Sequence, residues 1–215
     1  MAKPFDVIVV GIGSMGASAC WHLAKRGLRV LGLEQGPIPN PEASFAGATR
    51  AIRLSYTEHP DYVPLLQGAY EKWEILEEEC GQELLRLTGA LYMGPEEGDL
   101  VSGASRSAKV HDLSHSLYTH NELHQNWPQF KLPDSFVGLY EERAGYLLSE
   151  RAVEAFVKES RRHGADIRGG QMVTSWTSGD TGVKVCADGE EYFAEHLVMA
   201  AGAWVGKLLG NLDIS

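Results

Sequence analysis

The hydrophobic and polar pattern at the start of the chain predicts a strand, a helix and a second strand. Residues 5–10 are dominated by β-branched side chains and end at Gly11, which is typical of a strand buried on both faces of a parallel sheet. Apolar residues then recur at helical spacing over 15–26 and stop at Gly27, and residues 28–33 form a second apolar run. This part of the chain therefore predicts a β-α-β unit with a right-handed crossover.

The rest of the pattern predicts an α/β fold in which one domain is interrupted by another. A loop rich in Pro, Ser, Ala and Gly is expected over 36–47, and a polar, glycine-bearing stretch over 95–107 is where composition shifts. The further predicted elements are helices over 62–80, 122–127 and 149–163, strands over 89–94, 137–140 and 144–148, an antiparallel meander of strands over 172–176, 182–187 and 191–193, a strand over 196–201 and a helical start at 204–209.

Composition excludes several classes of protein. The chain has 215 residues and a formal net charge of -10, with 19 Lys+Arg against 29 Asp+Glu. Phosphate backbones would be repelled by this surface, so no nucleic-acid partner is expected. A hydrophobic content of 44% is that of an ordinary globular protein and not of a disordered chain.

The cysteines and the longest apolar runs predict a cytoplasmic protein with no membrane partner. Cys20, Cys80 and Cys186 are odd in number and form no CxxC pair, so neither a disulfide framework nor a zinc site is expected. No stretch approaches the roughly 18 apolar residues of a membrane span, and the N-terminal run is too short for a signal peptide. The histidine cluster at positions 111, 115, 120 and 124 lacks a cysteine partner or an HExxH pattern, so no metal is expected.

A glycine motif follows the first predicted strand. Gly11, Gly13 and Gly16 match G-x-G-x-x-G, a weak pattern alone but a stronger one where it joins a buried strand to a helix. The first glycine permits the turn, the second lets backbone N–H groups approach a pyrophosphate, and the third lets the helix pack on the sheet. Glu34 ends the second strand, where a carboxylate can accept hydrogen bonds from both ribose hydroxyls of an adenosine. The alternative is a structural glycine turn with Glu34 capping a strand.

A second strand-glycine junction occurs near the end of the chain, at Ala201-Gly202. Alone it is simply another βα connection. NAD-binding domains do not ordinarily need a small meander leading into such a turn, whereas a flavin-binding fold uses this order of elements. The sequence therefore favours a Rossmann-like FAD-binding domain.

Several segments, in order along nearly the whole chain, resemble the N-terminal half of the FAD-dependent amine oxidases of the D-amino-acid-oxidase type. Within that group the similarity is to monomeric sarcosine oxidases and the related N-methyltryptophan and pipecolate oxidases. The segments that carry the resemblance are Gly11–Gly16 with Ser14-Met15, Thr49-Arg50-Ala51-Ile52-Arg53, Tyr62-Val63-Pro64-Leu65, Thr88-Gly89, Asn126-Trp127-Pro128 and Ala201-Gly202-Ala203-Trp204 with Lys207-Leu208-Leu209.

The resemblance implies a cofactor, a reaction and a set of binding residues. FAD would oxidise the C–N bond of N-methyl or secondary amino acids such as sarcosine, with oxygen reduced to hydrogen peroxide. The implied domains are a discontinuous FAD-binding domain over 1–88 and 149–215 and part of an α+β substrate domain inserted over 89–148. The implied FAD contacts are Gly11, Gly13, Ser14, Met15 and Gly16 at the pyrophosphate, Glu34 and Gln35 at the ribose, Ser44, Gly47, Thr49 and Arg50 along the flavin, Val173 at the adenine, and Ala201, Gly202 and Trp204 at the adenosine end.

Two arginines are the candidate catalytic groups. Arg50 and Arg53 are three residues apart, a spacing that would place both on one face of a helix, pointing into a common cleft. From spacing alone, a pair of surface arginines satisfying nearby acids is an equal alternative. The resemblance assigns Arg50 to the flavin, Arg53 to the substrate carboxylate and Thr49 to the edge of the flavin ring.

The chain departs from this family in one loop and in length. Members commonly carry a histidine where this chain has Phe45-Ala46-Gly47. We therefore expect the surroundings of the flavin to differ in polarity, or the substrate preference to differ, from those of other members. Full-length members are far longer, and their C-terminal half supplies most of the catalytic face, so either the chain is truncated or a partner half lies elsewhere. Two alternatives therefore stay open: a catalytically silent FAD-binding fragment, and an FAD dehydrogenase of the same fold that uses another electron acceptor.

Overall fold

The computed structural model describes residues 5–210, which form two compact units. The first unit comprises the described residues up to Thr49 and from Leu148 onward, and the second unit comprises Arg50–Leu147. The strands are β1 (Phe5–Val10), β2 (Val30–Leu33), β3 (Arg50–Ile52), β4 (Leu85–Leu87), β5 (Ala90–Pro95), β6 (His115–Tyr118), β7 (Phe136–Glu141), β8 (Gly145–Leu147), β9 (Asp166–Arg168), β10 (Val173–Gly179), β11 (Gly182–Ala187) and β12 (Glu190–Met199). The helices are α1 (Ser14–Lys25), α2 (Tyr62–Cys80), α3 (Asp99–Val110), α4 (His120–Asn126), α5 (Ser149–Arg162), a 3-10 turn at Gly202–Trp204 and α6 (Val205–Leu208).

The first unit is built on a six-stranded sheet in the order β10-β11-β12-β1-β2-β9. Strands β12, β1, β2 and β9 are parallel neighbours, while β10, β11 and the first part of β12 form an antiparallel meander. The parallel part matches the β-α-β unit predicted from the sequence, with α1 as the crossover between β1 and β2.

The core of the first unit explains why these segments form buried strands. Ile8, Val10, Leu31 and Leu33 belong to one buried cluster with residues of the meander. Helices α1 and α5 meet through aromatic rings, since the centroids of Trp21 and Phe156 are 5.5 Å apart. The apolar faces of two helices and the central strands thus enclose the core, as expected for a parallel sheet covered by helices.

The second unit contains two antiparallel three-stranded sheets, in the orders β3-β8-β4 and β5-β7-β6. Helix α3 packs on the second sheet through a buried cluster of Tyr92, Val101, Ala104 and Leu139. Helix α4 begins with a capping box, in which the Thr119 hydroxyl and the carboxylate of the third helical residue satisfy each other's backbone N–H groups.

Helix α3 corrects the sequence prediction of a polar stretch over 95–107. Its buried face consists mainly of small residues, including Gly103, Ala104, Ser105, Ser107 and Ala108. A Cβ at Gly103 would overlap the Thr57 carbonyl oxygen, so close packing requires the absence of a side chain there. A pattern search for large apolar residues at helical spacing does not detect such a face.

Strand β12 corrects a second prediction, which divided this region into strands over 191–193 and 196–201. Glu190–Met199 is one continuous strand. Its first half pairs antiparallel with β11 and its second half pairs parallel with β1, and Ala194 takes part in both ladders. The polar residues Glu195 and His196 interrupt the apolar pattern without breaking the strand, because pairing with β1 begins at Ala194, where pairing with β11 ends.

The compact units divide the chain between residues 49 and 50 and between residues 147 and 148. The sequence prediction placed its domain boundaries after residues 88 and 148. In the observed packing, β3 and α2 belong to the second unit. The predicted domain boundaries stay a prediction. The functions predicted for the two domains stay predictions.

Candidate functional site

A cavity of about 260 Å³ lies in the first unit, at the carboxyl ends of β1, β2 and β12. In open α/β sheets this edge is where ligands bind. The volume is just below the roughly 300–1,000 Å³ of common ligand sites, so the cavity fits part of a dinucleotide. Most of the predicted cofactor residues line it, namely Gly11, Gly13, Ser14, Met15, Glu34, Gln35, Ser44, Val173, Ala201, Gly202 and Trp204.

Four predicted cofactor residues do not line this cavity. Gly16 is buried, and a Cβ there would overlap the Gly11 carbonyl oxygen, so this glycine serves the packing of α1 on the sheet. Gly47 is held to the start of α5, since its N–H donates to Glu150 Oε1 at 2.8 Å and its carbonyl accepts from the Ser149 hydroxyl at 2.7 Å. Thr49 and Arg50 lie at the division between the compact units, and their predicted contacts with the flavin stay predictions.

The glycine turn before α1 has the shape that the sequence predicted. Gly11 has a φ of 89°, and a Cβ there would lie 2.6 Å from the Ala200 carbonyl oxygen, so both conformation and space require glycine. At Gly13, by contrast, the nearest atoms to a Cβ belong to the Phe45 ring, at 3.7 Å. The protein itself has room for a side chain at Gly13, which suits a position that a ligand approaches.

The N-terminus of α1 opens on this cavity. Helix α1 begins after Gly13 with no side-chain cap and no acidic residue in its first turn. Ser14 and Met15, the first two residues of the helix, line the cavity. The N–H groups of a first turn have no partner within the helix, and they carry the positive end of the helix dipole. This end of the cavity therefore suits the negative charge of a phosphate.

The Glu34 carboxylate, which the sequence predicts to lie at the ribose, belongs to an almost fully buried residue. Its side chain is 6% exposed. Oε2 accepts a hydrogen bond from Ile12 N at 2.8 Å, and Oε1 accepts from Gly36 N at 3.1 Å and from Asn40 Nδ2 at 3.0 Å. Glu34 thus joins the glycine turn to the loop over 36–47.

The loop over 36–47 is ordered by a few polar contacts and one buried ring. Asn40 is 6% exposed, and its Oδ1 accepts from Glu42 N at 2.9 Å. Phe45, which stands where the resembling family has a histidine nearby, is 5% exposed and lines the cavity beside Gly13. This wall of the cavity is consequently apolar.

The two candidate arginines do not share a helical face. Arg50 lies in β3, opposite Leu147 of β8, and Arg53 follows the end of that strand. The prediction of a common helical face is wrong because sheet pairing holds this segment extended, and side chains of a strand alternate with a period of two.

Arg53 nevertheless has an unusual environment. Among the described residues, its Nε is a buried donor without a hydrogen-bond partner. Its guanidinium carbon lies 5.0 Å from the centre of the Tyr56 ring, within the range of a cation–π contact. Because buried donors are nearly always satisfied, an orphan on a guanidinium marks a place where an acceptor is expected.

The sequence analysis missed a buried carboxylate that binds the backbone of the two residues after Arg53. Glu141, at the end of β7, is 1% exposed and accepts from Leu54 N at 2.7 Å, from Ser55 N at 2.9 Å and from the Tyr92 hydroxyl at 3.0 Å. Burial raises the pKa of Tyr92 above its usual range, and the charge of Glu141 adds to the effect. In the sequence Glu141 stands among charged residues, and no local pattern distinguishes it from a surface acid.

The cysteines and histidines form no metal-binding group in the described part of the chain. Cys20 is fully buried, and desolvation raises the pKa of its thiol to about 12. No group of three or more His, Cys, Asp or Glu residues between 5 and 210 has a geometry that could hold a metal ion. Within the same residues, no helix is long and apolar enough to cross a membrane.

Comparison with known proteins decides the family. The sequence model of the FAD dependent oxidoreductases, abbreviated DAO, matches residues 6–215. The chain belongs to this family. The predicted Rossmann-like fold class and the predicted cofactor, FAD, are thereby confirmed at the level of the family.

Two relatives and one solved structure define the similarity further. The chain is 38% identical to monomeric sarcosine oxidase of Streptomyces avermitilis over 215 residues, covering all of this chain and 56% of that protein. It is 33% identical to N-methyl-L-tryptophan oxidase of Yersinia pestis over 211 residues, covering 98% of this chain and 57% of that protein. The structure of a variant of NikD, an amino acid oxidase essential for nikkomycin biosynthesis, superposes with a TM-score of 0.90 at 27% identity, over 100% of this chain and 55% of that one. The chain therefore spans little more than half the length of the relatives it matches.

Proposed function

We propose that the first unit binds the ADP part of FAD in the cavity at the carboxyl ends of β1, β2 and β12. The pyrophosphate would lie against the N-terminus of α1, where Gly13 leaves space for it and the first-turn N–H groups of Ser14 and Met15 can donate to its oxygens. Glu34 would accept from the adenosine ribose. The single observation that carries this proposal is the combination, in one cavity, of an uncapped helix N-terminus with a buried acceptor at the end of the next strand.

The apolar part of the cavity fits the adenine. Val173, at the start of β10, lines the cavity, as do Ala201 and Trp204 from the segment after β12. Backbone groups of Val173 would meet the adenine edge, and the two residues after β12 would flank the adenosine. Gly202, with a φ of 52°, gives the segment after β12 its turn.

We infer a substrate role for the second unit. Arg53 carries a buried donor that has no hydrogen-bond partner among residues 5–210, and a guanidinium can hold a carboxylate by two parallel hydrogen bonds. The polypeptide that contains this chain would thus bind an amino acid by its carboxylate, and Arg53 would orient its amine for oxidation. Arg50 and Thr49 would contribute at the flavin, as the family resemblance implies.

The proposed reaction is oxidation of the C–N bond of an N-methyl or secondary amino acid such as sarcosine. The relatives named sarcosine oxidase and N-methyl-L-tryptophan oxidase support this substrate class. FAD, when bound, would accept the hydride of the substrate and deliver its electrons to oxygen, yielding hydrogen peroxide. The residues of this chain would bind FAD, orient the substrate and exclude water from the site.

A two-stage experiment tests the proposal. Flavin fluorescence of FAD titrated with the purified chain should be quenched or shifted on binding, and ADP should compete. Peroxide should then form when the complete polypeptide carrying this chain, loaded with FAD, receives sarcosine, pipecolate, proline or other N-alkyl amino acids. Bound flavin without peroxide from any of them, but with dye reduction, would indicate a dehydrogenase. Bound flavin without either would refute the oxidation proposal.

A second candidate is an FAD-binding module that is catalytically silent by itself. It is favoured by one observation, that the chain spans only 56% of the sarcosine oxidase that it resembles. This candidate predicts tight FAD binding and cooperative melting of the 215-residue chain, with no turnover of any amine.

A further inference from the structure

The number of hydrogen bonds already accepted by Glu34 limits what this carboxylate can do for a ligand. A carboxylate offers about four acceptor positions, two on each oxygen. Oε1 accepts from Gly36 N and from Asn40 Nδ2, at 3.1 and 3.0 Å, and is therefore filled. Oε2 accepts only from Ile12 N, at 2.8 Å, among the donors of the described residues.

The Asn40 side chain has a fixed orientation, which makes its occupation of Oε1 specific. Its Oδ1 accepts from Glu42 N at 2.9 Å, so the opposite end of the amide, Nδ2, must face Glu34. Turning the amide over would bring an oxygen against the carboxylate and leave the Glu42 N–H without its acceptor. With 6% exposure, Asn40 is also too enclosed for water to replace it easily.

The backbone of Glu34 gives the carboxylate no freedom to turn away. Its N–H donates to the Arg168 carbonyl at 2.9 Å, and its carbonyl accepts from Gln171 N at 2.7 Å. The side chain is therefore held at both ends, by the sheet and by three donors. A ligand meets an acceptor that is already oriented, with one free position on Oε2.

We propose that Glu34 accepts only one of the two ribose hydroxyls of the adenosine, through Oε2, and that Asn40 is the positioning residue that closes Oε1 to the other. This inference rests on the proposed binding of the ADP part of FAD in this cavity. It differs from the sequence expectation, in which the carboxylate served both hydroxyls. It makes recognition of the ribose asymmetric.

The test uses FAD and two FAD analogues that lack either the 2′- or the 3′-hydroxyl of the adenosine ribose. Dissociation constants for the unaltered chain are measured by flavin fluorescence. Because a hydrogen bond to a charged acceptor is strong, loss of the accepted hydroxyl should weaken binding about tenfold or more. Loss of the other hydroxyl should change the dissociation constant less than about twofold. Comparable weakening by both deletions, or by neither, overturns the inference.

The variant Asn40→Leu tests the role of the amide. It has nearly the same size but no donor, so one position on Glu34 Oε1 becomes free for the second hydroxyl. In this variant, loss of either ribose hydroxyl should weaken FAD binding. If only one of the two hydroxyls still contributes, Asn40 is not the positioning residue. Asn126→Leu is the matched control, because Asn126 Nδ2 likewise donates to an oxygen, the Glu122 carbonyl at 2.9 Å, and Asn126 belongs to the second unit and does not line this cavity. Its analogue pattern should equal that of the unaltered chain.

The same measurements separate this inference from the proposed function. If FAD does not bind, or if ADP fails to displace it, the proposed site is wrong and the inference falls with it. If FAD binds, ADP displaces it and both hydroxyls contribute equally, only the inference is wrong. Should Asn40→Leu not fold, the analogue comparison on the unaltered chain still decides between one hydroxyl and two.

Discussion

Substitution of the buried Glu141 carboxylate should destabilise the second unit by an amount that its hydrogen bonds predict. In Glu141→Gln, one amide oxygen replaces two carboxylate oxygens that together accept from Leu54 N, Ser55 N and the Tyr92 hydroxyl. The best orientation keeps the Ser55 and Tyr92 bonds and turns the amide NH₂ toward the Leu54 N–H. At least one buried N–H then loses its acceptor.

The expected loss is about 2 kcal/mol in the free energy of unfolding. A buried donor left without its acceptor costs about 1–3 kcal/mol. The two retained bonds lose their charge assistance, but the variant no longer buries a charge, so these two effects offset each other in part. For a chain of this size, about 2 kcal/mol corresponds to a decrease in Tm of about 4–8 °C.

Urea unfolding followed by circular dichroism measures the loss, and hydrogen exchange locates it. Protection of the Leu54 and Ser55 amides should fall about thirtyfold, since about 1.4 kcal/mol corresponds to a factor of ten. Glu142→Gln is the matched control, because it makes the same change of charge on the exposed neighbouring residue. If the two variants are equally stable, or if Glu141→Gln changes stability by less than about 0.5 kcal/mol, the hydrogen-bond reasoning is refuted.

Three further predictions concern the cofactor, the substrate and pH. Gly13→Ala should weaken FAD binding at least about tenfold and leave the unfolding midpoint unchanged, because the protein has room for a methyl group there. Gly11→Ala should lower the unfolding midpoint, because Gly11 has a positive φ and a close backbone neighbour. Equal unfolding midpoints for the two variants would contradict this reasoning. Arg53→Ala in the complete, FAD-loaded polypeptide should raise KM for carboxylated amines by an amount equivalent to about 2–4 kcal/mol, and an unchanged KM would remove Arg53 from the substrate site. Hydrogen bonds from Arg29 lower the pKa of Asp6, so the stability that this carboxylate contributes is present above its unfolded pKa and is lost as pH falls through its folded pKa. Asp6→Asn should therefore lower the free energy of unfolding near neutral pH and change it little in strong acid. Urea unfolding near neutral pH and in strong acid measures both effects.

The first unit could be predicted well because its determinants are local in the sequence. Its β-α-β start was found from periodicity. Periodicity also found one long helix of the second unit, α2, which ends at Gly81 in the left-handed conformation, as its sequence indicated. The lining residues Gly11 and Gly13 follow from the glycine motif, since a strand, a turn and a helix N-terminus are encoded within a few consecutive positions. The lining residues Ser44, Val173, Ala201, Gly202 and Trp204 were implied only by the family resemblance.

The second unit was less predictable because its determinants are distant in the sequence. Strands β3 and β4 have three residues each, and both exist because they pair with β8. Glu141 acquires its role only when residues 54 and 55 are folded against it, from 87 and 86 positions away. Neither composition nor spacing carries information about such pairings.

The division of the candidate residues between the two units has a consequence for experiments. The residues proposed to hold the ADP part of FAD, from the glycine motif to Trp204, all belong to the first unit. Arg53 and the carboxylate that fixes the backbone after it belong to the second. ADP affinity should therefore be unaffected by Glu141→Gln, even where that variant unfolds more easily, because no described hydrogen bond of Glu141 involves a residue of the first unit. A tenfold loss of ADP affinity in this variant, measured where the chain is fully folded, would show that the two functions are coupled and that the assignment of one function to each unit is wrong.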